Sequence, residues 1–209
     1  MSPRDIFDRY FGQCPLVAII RGVRPDEAEA IGQALFDGGI RIIEVPLNSP
    51  DPFGSIRAIA GALGDRALVG AGTVIDPADV GRVKEAGGRI IVAPDMNRAV
   101  IEATVAHGMV SSPGIFTPTE AFQALHCGAH ALKLFPAEAA SPKVVKALRA
   151  VIPDRVPLLI VGGVTPESVS GWLEAGANGF GLGGGLYKPG QSPEDTLAKA
   201  RAYVDAVKR

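Results

Sequence analysis

The sequence predicts an α/β fold: one domain over residues 1–209, built as a (β/α)8 TIM barrel with an extra N-terminal helix. Three observations predict it. Short aliphatic and β-branched runs recur at roughly 20–25-residue spacing along the whole chain. Segments of helical period lie between them. Glycine closes most of those segments just before the next strand, as at Gly38-Gly39, Gly87-Gly88, Gly108, Gly128 and Gly176. Eight such units without a break favour a closed ring. An open doubly wound sheet is the alternative.

In chain order, Ser2 to Phe11 reads as the extra helix. It is charged and lacks the apolar stretch of a secretory signal. The expected strands are Leu16–Ile20, Ile42–Val45, Ala67–Val69, Ile90–Val92, Met109–Ser111, Ala131–Leu134, Leu158–Val161 and Gly179–Gly181. The third, fifth and eighth draw on their place in the series as much as on composition. The intervening helices show apolar stripes such as Ala28-Ile31-Leu35, Val80-Val83 and Val144-Val145-Leu148. Pro25, Pro52, Pro77, Pro118, Pro142, Pro166 and Pro193 stand near their starts, where a missing N–H costs nothing.

Composition excludes whole classes of function. With 21 Lys+Arg against 22 Asp+Glu, the chain has no general field for nucleic acid or an anionic membrane. An acidic ligand must therefore be held locally. No apolar run exceeds strand length, and Cys14 and Cys127 form no C-x-x-C pair. The expectation is a soluble cytoplasmic protein with reduced thiols. The 26 glycines and 17 prolines belong to the repeat, not to low complexity.

Two strands carry charge where a barrel carries function, at their C-terminal ends. Glu44 sits among aliphatics at the end of the second, and Lys133 at the end of the sixth. Alternation puts Ile42 and Glu44 on one face, and Ala131, Lys133 and Phe135 on one face. Leu132 and Leu134 then face the helices. Strands two and six stand opposite in an eight-strand ring, so the two charges can meet across the lumen. A structural ion pair is the alternative. A desolvated lysine that becomes neutral is what Schiff-base chemistry requires.

After the seventh strand, Val161-Gly162-Gly163-Val164-Thr165-Pro166-Glu167 runs straight into a helix. After the eighth comes Gly181-Leu182-Gly183-Gly184-Gly185. Such loops let backbone N–H groups approach a phosphate, and barrels often bind one there. Glycines needed only for tight turns are the alternative. Arg21, at the end of strand one, is a candidate carboxylate clamp, and Thr73 can present a hydroxyl to the lumen. His126 and His130 flank Gly128 and need not share a face, and no paired Cys/His spacing occurs. The expectation is no metal and no cofactor.

Taken together, several motifs resemble one family. They are I-I-E-V-P-L-N-S-P around Glu44, Gly70-Ala71-Gly72-Thr73, Pro113-Gly114, A-L-K-L-F-P-A-E around Lys133, and V-G-G-V-T-P-E at 161–167. They resemble the class I aldolases that cleave 2-keto-3-deoxy-6-phospho sugar acids, the KDPG/KDPGal aldolase family. The likeness covers nearly the whole chain.

The resemblance implies Lys133 as the Schiff-base nucleophile and Glu44 as proton carrier. It implies Arg21 and Thr73 on the substrate carboxylate, and Gly162, Gly163, Gly183 and Gly184 on the distal phosphate. Val161, Pro94 and Phe135 would complete the pocket. The partners implied are a phosphorylated 2-keto-3-deoxy sugar acid, pyruvate and two further copies in a homotrimer.

Asn48 stands where gluconate enzymes usually carry arginine, and Val161 where they tend to have threonine. Both favour the galactonate branch, with 2-dehydro-3-deoxy-6-phosphogalactonate cleaved to pyruvate and D-glyceraldehyde 3-phosphate. Gly184 departs from the family's usual serine. The gluconate substrate is the alternative within the family. A sugar-phosphate isomerase or epimerase, and a phosphate-sensing scaffold, are the alternatives outside it.

Overall fold

In a computed structural model that describes residues 1–208, helix α1 (Pro3–Phe11) precedes the first strand. Ser2 and Asp5 form a capping box at its start, and Pro3 occupies the first turn. The strands are β1 (Leu16–Ile19), β2 (Ile42–Pro46), β3 (Leu68–Gly72), β4 (Ile90–Val92), β5 (Val110–Ser112), β6 (Gly114–Ile115), β7 (Leu132–Leu134), β8 (Leu158–Val161) and β9 (Gly179–Leu182). Between and after them run α2 (Pro25–Asp37), α3 (Pro52–Leu63), α4 (Ala78–Glu85), α5 (Arg98–Ala106), α6 (Pro118–His126), α7 (Pro142–Arg149), α8 (Val169–Glu174) and α9 (Pro193–Val207). Six helices, α1, α2, α3, α6, α7 and α9, carry proline in their first turn.

Every strand pairing is parallel, in the order β5-β4-β3-β2-β1-β9-β8-β7-β6. Nine segments stand where eight strands were expected. The extra one comes from Pro113, which has no N–H and lies between β5 and β6. β5 pairs with β4, β6 pairs with β7, and the Pro113 carbonyl accepts from Lys133 N at 2.9 Å. The sheet is thus a nearly closed parallel barrel with helices around it.

Period-two alternation sorts the strand residues into two layers. Val17, Ile19, Ile42, Leu68, Ile90, Val92, Val110, Ala131, Leu159 and Val161 fill the inside. Ile43, Val69, Ile91, Leu132, Leu134 and Ile160 pack outward with the helices. The interior layer also takes Phe7 and Tyr10 of α1, so this helix plugs the N-terminal mouth. Phe7 stacks on Phe11 at 4.8 Å. The Tyr10 hydroxyl donates to Asp65 O at 2.7 Å, and Arg4 donates to the His130 and Arg155 carbonyls, each at 2.7 Å. With that end sealed, access to the lumen is from the C-terminal end.

Phe7→Ala should therefore leave a cavity in the barrel floor and cost about 3–5 kcal/mol of stability. A urea titration of both proteins checks this. An unchanged midpoint would show that α1 rests on the barrel without supporting it.

Candidate active site

Strand parity carries both buried charges into the lumen. Glu44 of β2 is 1% exposed and Lys133 of β7 is 7% exposed. Their strands stand four steps apart in either direction round the barrel, counting β5 and β6 as successive parts of one segment. The Glu44 carboxylate lies against Gly72 at the end of β3, where a Cβ would overlap it. Gly72 is therefore glycine because the acid needs its space. Gly70 in the same strand is glycine because the Ile90 carbonyl of β4 runs over it.

Among the described residues no hydrogen bond or close ion pair joins the two charges, and Glu44 Oε2 has no hydrogen-bond partner. Burial raises the Glu44 pKa to about 7, against the opposing pull of Lys133 and Arg21. Burial likewise lowers Lys133, with Glu44 opposing and Arg21 assisting. Near neutral pH the acid can both take and give a proton, and the amine is pushed toward its nucleophilic form. Lys133 Nζ sits 4.8 Å from the Phe135 ring centroid, which helps hold the chain in place.

Above Lys133 a cavity of about 750 Å³ opens at the C-terminal end. Arg21, Thr73, Pro94, Lys133, Phe135, Val161, Gly162, Gly163, Gly183 and Gly184 all line it. Glu44 is the one expected residue that does not. It lies beneath, in a smaller space that it shares with Lys133, Ser112 and Val161. Lys133 belongs to both spaces and so stands between Glu44 and the cavity. A shallower hollow of about 460 Å³ at the N-terminal face, between α3 and α4, holds none of these residues.

On one wall, Arg21 donates to Asn48 Oδ1 and, at 3.4 Å, to Thr73 Oγ1. The Gly22 N–H donates to Ser49 Oγ at 2.9 Å, so the β2–α3 loop holds both the backbone and the guanidinium of the β1 loop. Thr73 has φ +56°. A β-branched residue there is an outlier worth about 1–3 kcal/mol of strain, and it brings the hydroxyl beside Arg21. A guanidinium next to a hydroxyl is a carboxylate-binding pair.

In the loops after β8 and β9 the glycines divide into two kinds. Gly162 and Gly163 have φ +119° and +63°, and a Cβ on either would meet the Glu138 side chain. Their turn and their neighbour require glycine. Gly183 and Gly184 have no positive φ, and a Cβ there would meet nothing within 4 Å. Neither the backbone nor the protein's packing demands glycine at these two, and the space beside them is open.

Among the lining residues given no role by the sequence are Ser112, Glu138 and Lys188. Ser112, two residues past inward-facing Val110, borders the space between Glu44 and Lys133; strand parity was the available signal. Glu138 lies in a short 3-10 turn after β7, and Lys188 lies in the loop after β9. Both are hydrophilic loop residues at the C-terminal end of the barrel, but only tertiary structure brings them into the lining of one cavity.

Comparisons with known proteins place the chain in a family. Residues 8–197 match the family model "Aldolase: KDPG and KHG aldolase". The chain is 48% identical to the 2-dehydro-3-deoxy-6-phosphogalactonate aldolase of Escherichia coli K12, over 93% of this chain and 95% of that one. Against the KHG/KDPG aldolase of the same strain the identity is 32%, over 93% and 92%. The solved structure described as native KDPGal superposes with a TM-score of 0.91 at 48% identity, covering 93% of this chain and 94% of that one. These relationships establish that the chain belongs to the KDPG/KHG aldolase family and that it is an aldolase, a carbon–carbon lyase.

Proposed function

We propose that the protein cleaves 2-dehydro-3-deoxy-6-phosphogalactonate to pyruvate and D-glyceraldehyde 3-phosphate through a Schiff base on Lys133. The observation that carries this reading is the buried, down-shifted Lys133 amine between Glu44 and a cavity with a carboxylate clamp on one wall. Arg21 and Thr73 hold the C1 carboxylate, which sets the C2 ketone above Lys133. Nζ attacks C2, and the ketone oxygen leaves as water after Glu44 has carried the needed protons, giving an iminium. Glu44 then takes the C4 hydroxyl proton as the C3–C4 bond breaks. The bond's electrons pass into the iminium to form an enamine. The aldehyde leaves, C3 is protonated, and hydrolysis releases pyruvate and the free amine.

The phosphate end rests on Gly162, Gly163, Gly183 and Gly184, with Val161, Pro94 and Phe135 as pocket walls. We read the nine strand segments as eight staves of a (β/α)8 barrel, β5 and β6 being one stave bent at Pro113. By resemblance, the working unit is a homotrimer in the cytoplasm.

The galactonate epimer is favoured because Arg21 is the guanidinium in the cavity, while the β2–α3 loop offers Asn48, an amide that orients it. Steady-state kinetics with both C4 epimers should give kcat/KM at least about tenfold higher for the galactonate, a difference of about 1.4 kcal/mol. Equal values, or a preference for the gluconate, would overturn this assignment.

A further inference from the structure

The distal end of the cavity presents a charge problem. Gly162 and Gly163 lie under the exposed carboxylate of Glu138, and Gly184 supplies no hydroxyl. A phosphate dianion there meets the Glu138 carboxylate, glycine backbone and the neutral Thr165, none of them a cation. Four charged side chains line the cavity: Arg21, Lys133, Glu138 and Lys188. Arg21 is already engaged with Asn48 and Thr73, and Lys133 lies at the floor. That leaves Lys188.

We propose that Lys188 is the phosphate-binding cation of this site and the residue that makes it prefer a phosphorylated over a plain sugar acid. This rests on the aldolase reading above and adds to it. Its backbone is mounted firmly. The Lys188 carbonyl accepts from Gln191 N at 3.0 Å, and Gln191 Nε2 donates to Leu186 O at 2.8 Å and Thr196 Oγ1 at 2.9 Å. On one side Tyr187 is buried, with its hydroxyl donating to Glu27 at 3.1 Å. On the other, Pro189 packs so closely on Gly22 that a Cβ there would touch it. The Lys188 side chain itself makes no hydrogen bond or ion pair among the described residues. A fixed mount with an uncommitted ammonium suits a mobile dianion: the stem can follow the phosphate, and the charge offsets Glu138.

The test runs the reaction in the aldol direction, adding pyruvate to D-glyceraldehyde 3-phosphate or to unphosphorylated D-glyceraldehyde. In Lys188→Ala, the ratio of kcat/KM for the phosphorylated over the plain acceptor should fall about tenfold, mostly through a higher KM. Lys188→Arg should restore most of it, and added salt should weaken the wild type more than the alanine variant. An unchanged ratio, whether both acceptors are unaffected or both lose equally, overturns the proposal. Borohydride trapping of pyruvate separates the two levels of inference. If the wild type is not labelled, the Schiff-base reading fails. If wild type and variant both label but the acceptor ratio stays put, only the role of Lys188 fails.

Discussion

Lys133→Ala is expected to remove retro-aldol cleavage, with a loss of about 10⁴-fold or more in kcat, because no other amine can form the iminium at that position. Sodium borohydride with pyruvate gives the direct readout. The wild type should gain a reduced pyruvate adduct on the peptide carrying Lys133, and the variant should gain none. The fold should survive, since the substitution removes an amine whose burial is unfavourable to its charged form. Circular dichroism and an undiminished melting temperature check this. Retained turnover would mean that the nucleophile is elsewhere. Labelling that persists in the variant would point to Lys188, the other lysine lining the cavity among the described residues.

Glu44→Gln should lower kcat by about 10²–10⁴-fold, the usual scale for a positioned acid–base group. The amide can fill the carboxylate's place over Gly72 but cannot carry a proton. Its pH profile separates this role from a packing role. With Glu44 raised to about 7, the wild-type rate should fall below neutrality as the carboxylate that takes the C4 proton becomes protonated. That acid limb should vanish in the glutamine variant, and its persistence near pH 7 would assign the limb to another group.

The same shift has a stability consequence with a definite sign. The folded state binds the Glu44 proton more tightly than an unfolded chain with the model value of 4.5, so its contribution to stability declines as pH rises from about 4.5 to about 7. Glutamine carries no such dependence. The variant should therefore gain on the wild type across that window, by on the order of 1–3 kcal/mol, and hold the gain above it. Urea titrations at pH 4.5 and pH 8 read the difference.

Much of the site was legible before any coordinates. A lone charge in an aliphatic strand is costly unless function or pairing explains it, so Glu44 and Lys133 stood out, and parity put both inside. Arg21 and the paired glycine loops followed from their places at strand ends. The structure seats all of them at one end of the barrel, in and beneath one cavity.

Other features were hidden for identifiable reasons. Pro113 divides a strand because a single missing N–H interrupts the ladder, which hydrophobic pattern does not register. The run at 70–73 entered only as a motif of the family resemblance. Gly72 makes room for Glu44, a contact between residues 28 positions apart that no local spacing encodes. Thr73's positive φ and its bond to Arg21 arise from three loops meeting at one mouth. Glu138 and Lys188 belong to the same class: hydrophilic loop residues that resemble any solvated turn until the barrel brings their loops over one space.

The division has a physical basis. Periodicity, helix caps and unpaired charges are local signals, written in residues a few positions apart, and they suffice for the barrel and its two buried strand charges. Ring closure, the shift of the Glu44 pKa and the charge balance at the cavity's far end depend on burial and on contacts across the ring. Desolvation acts on atoms gathered from strands far apart in sequence, so those properties appear only once the chain has folded.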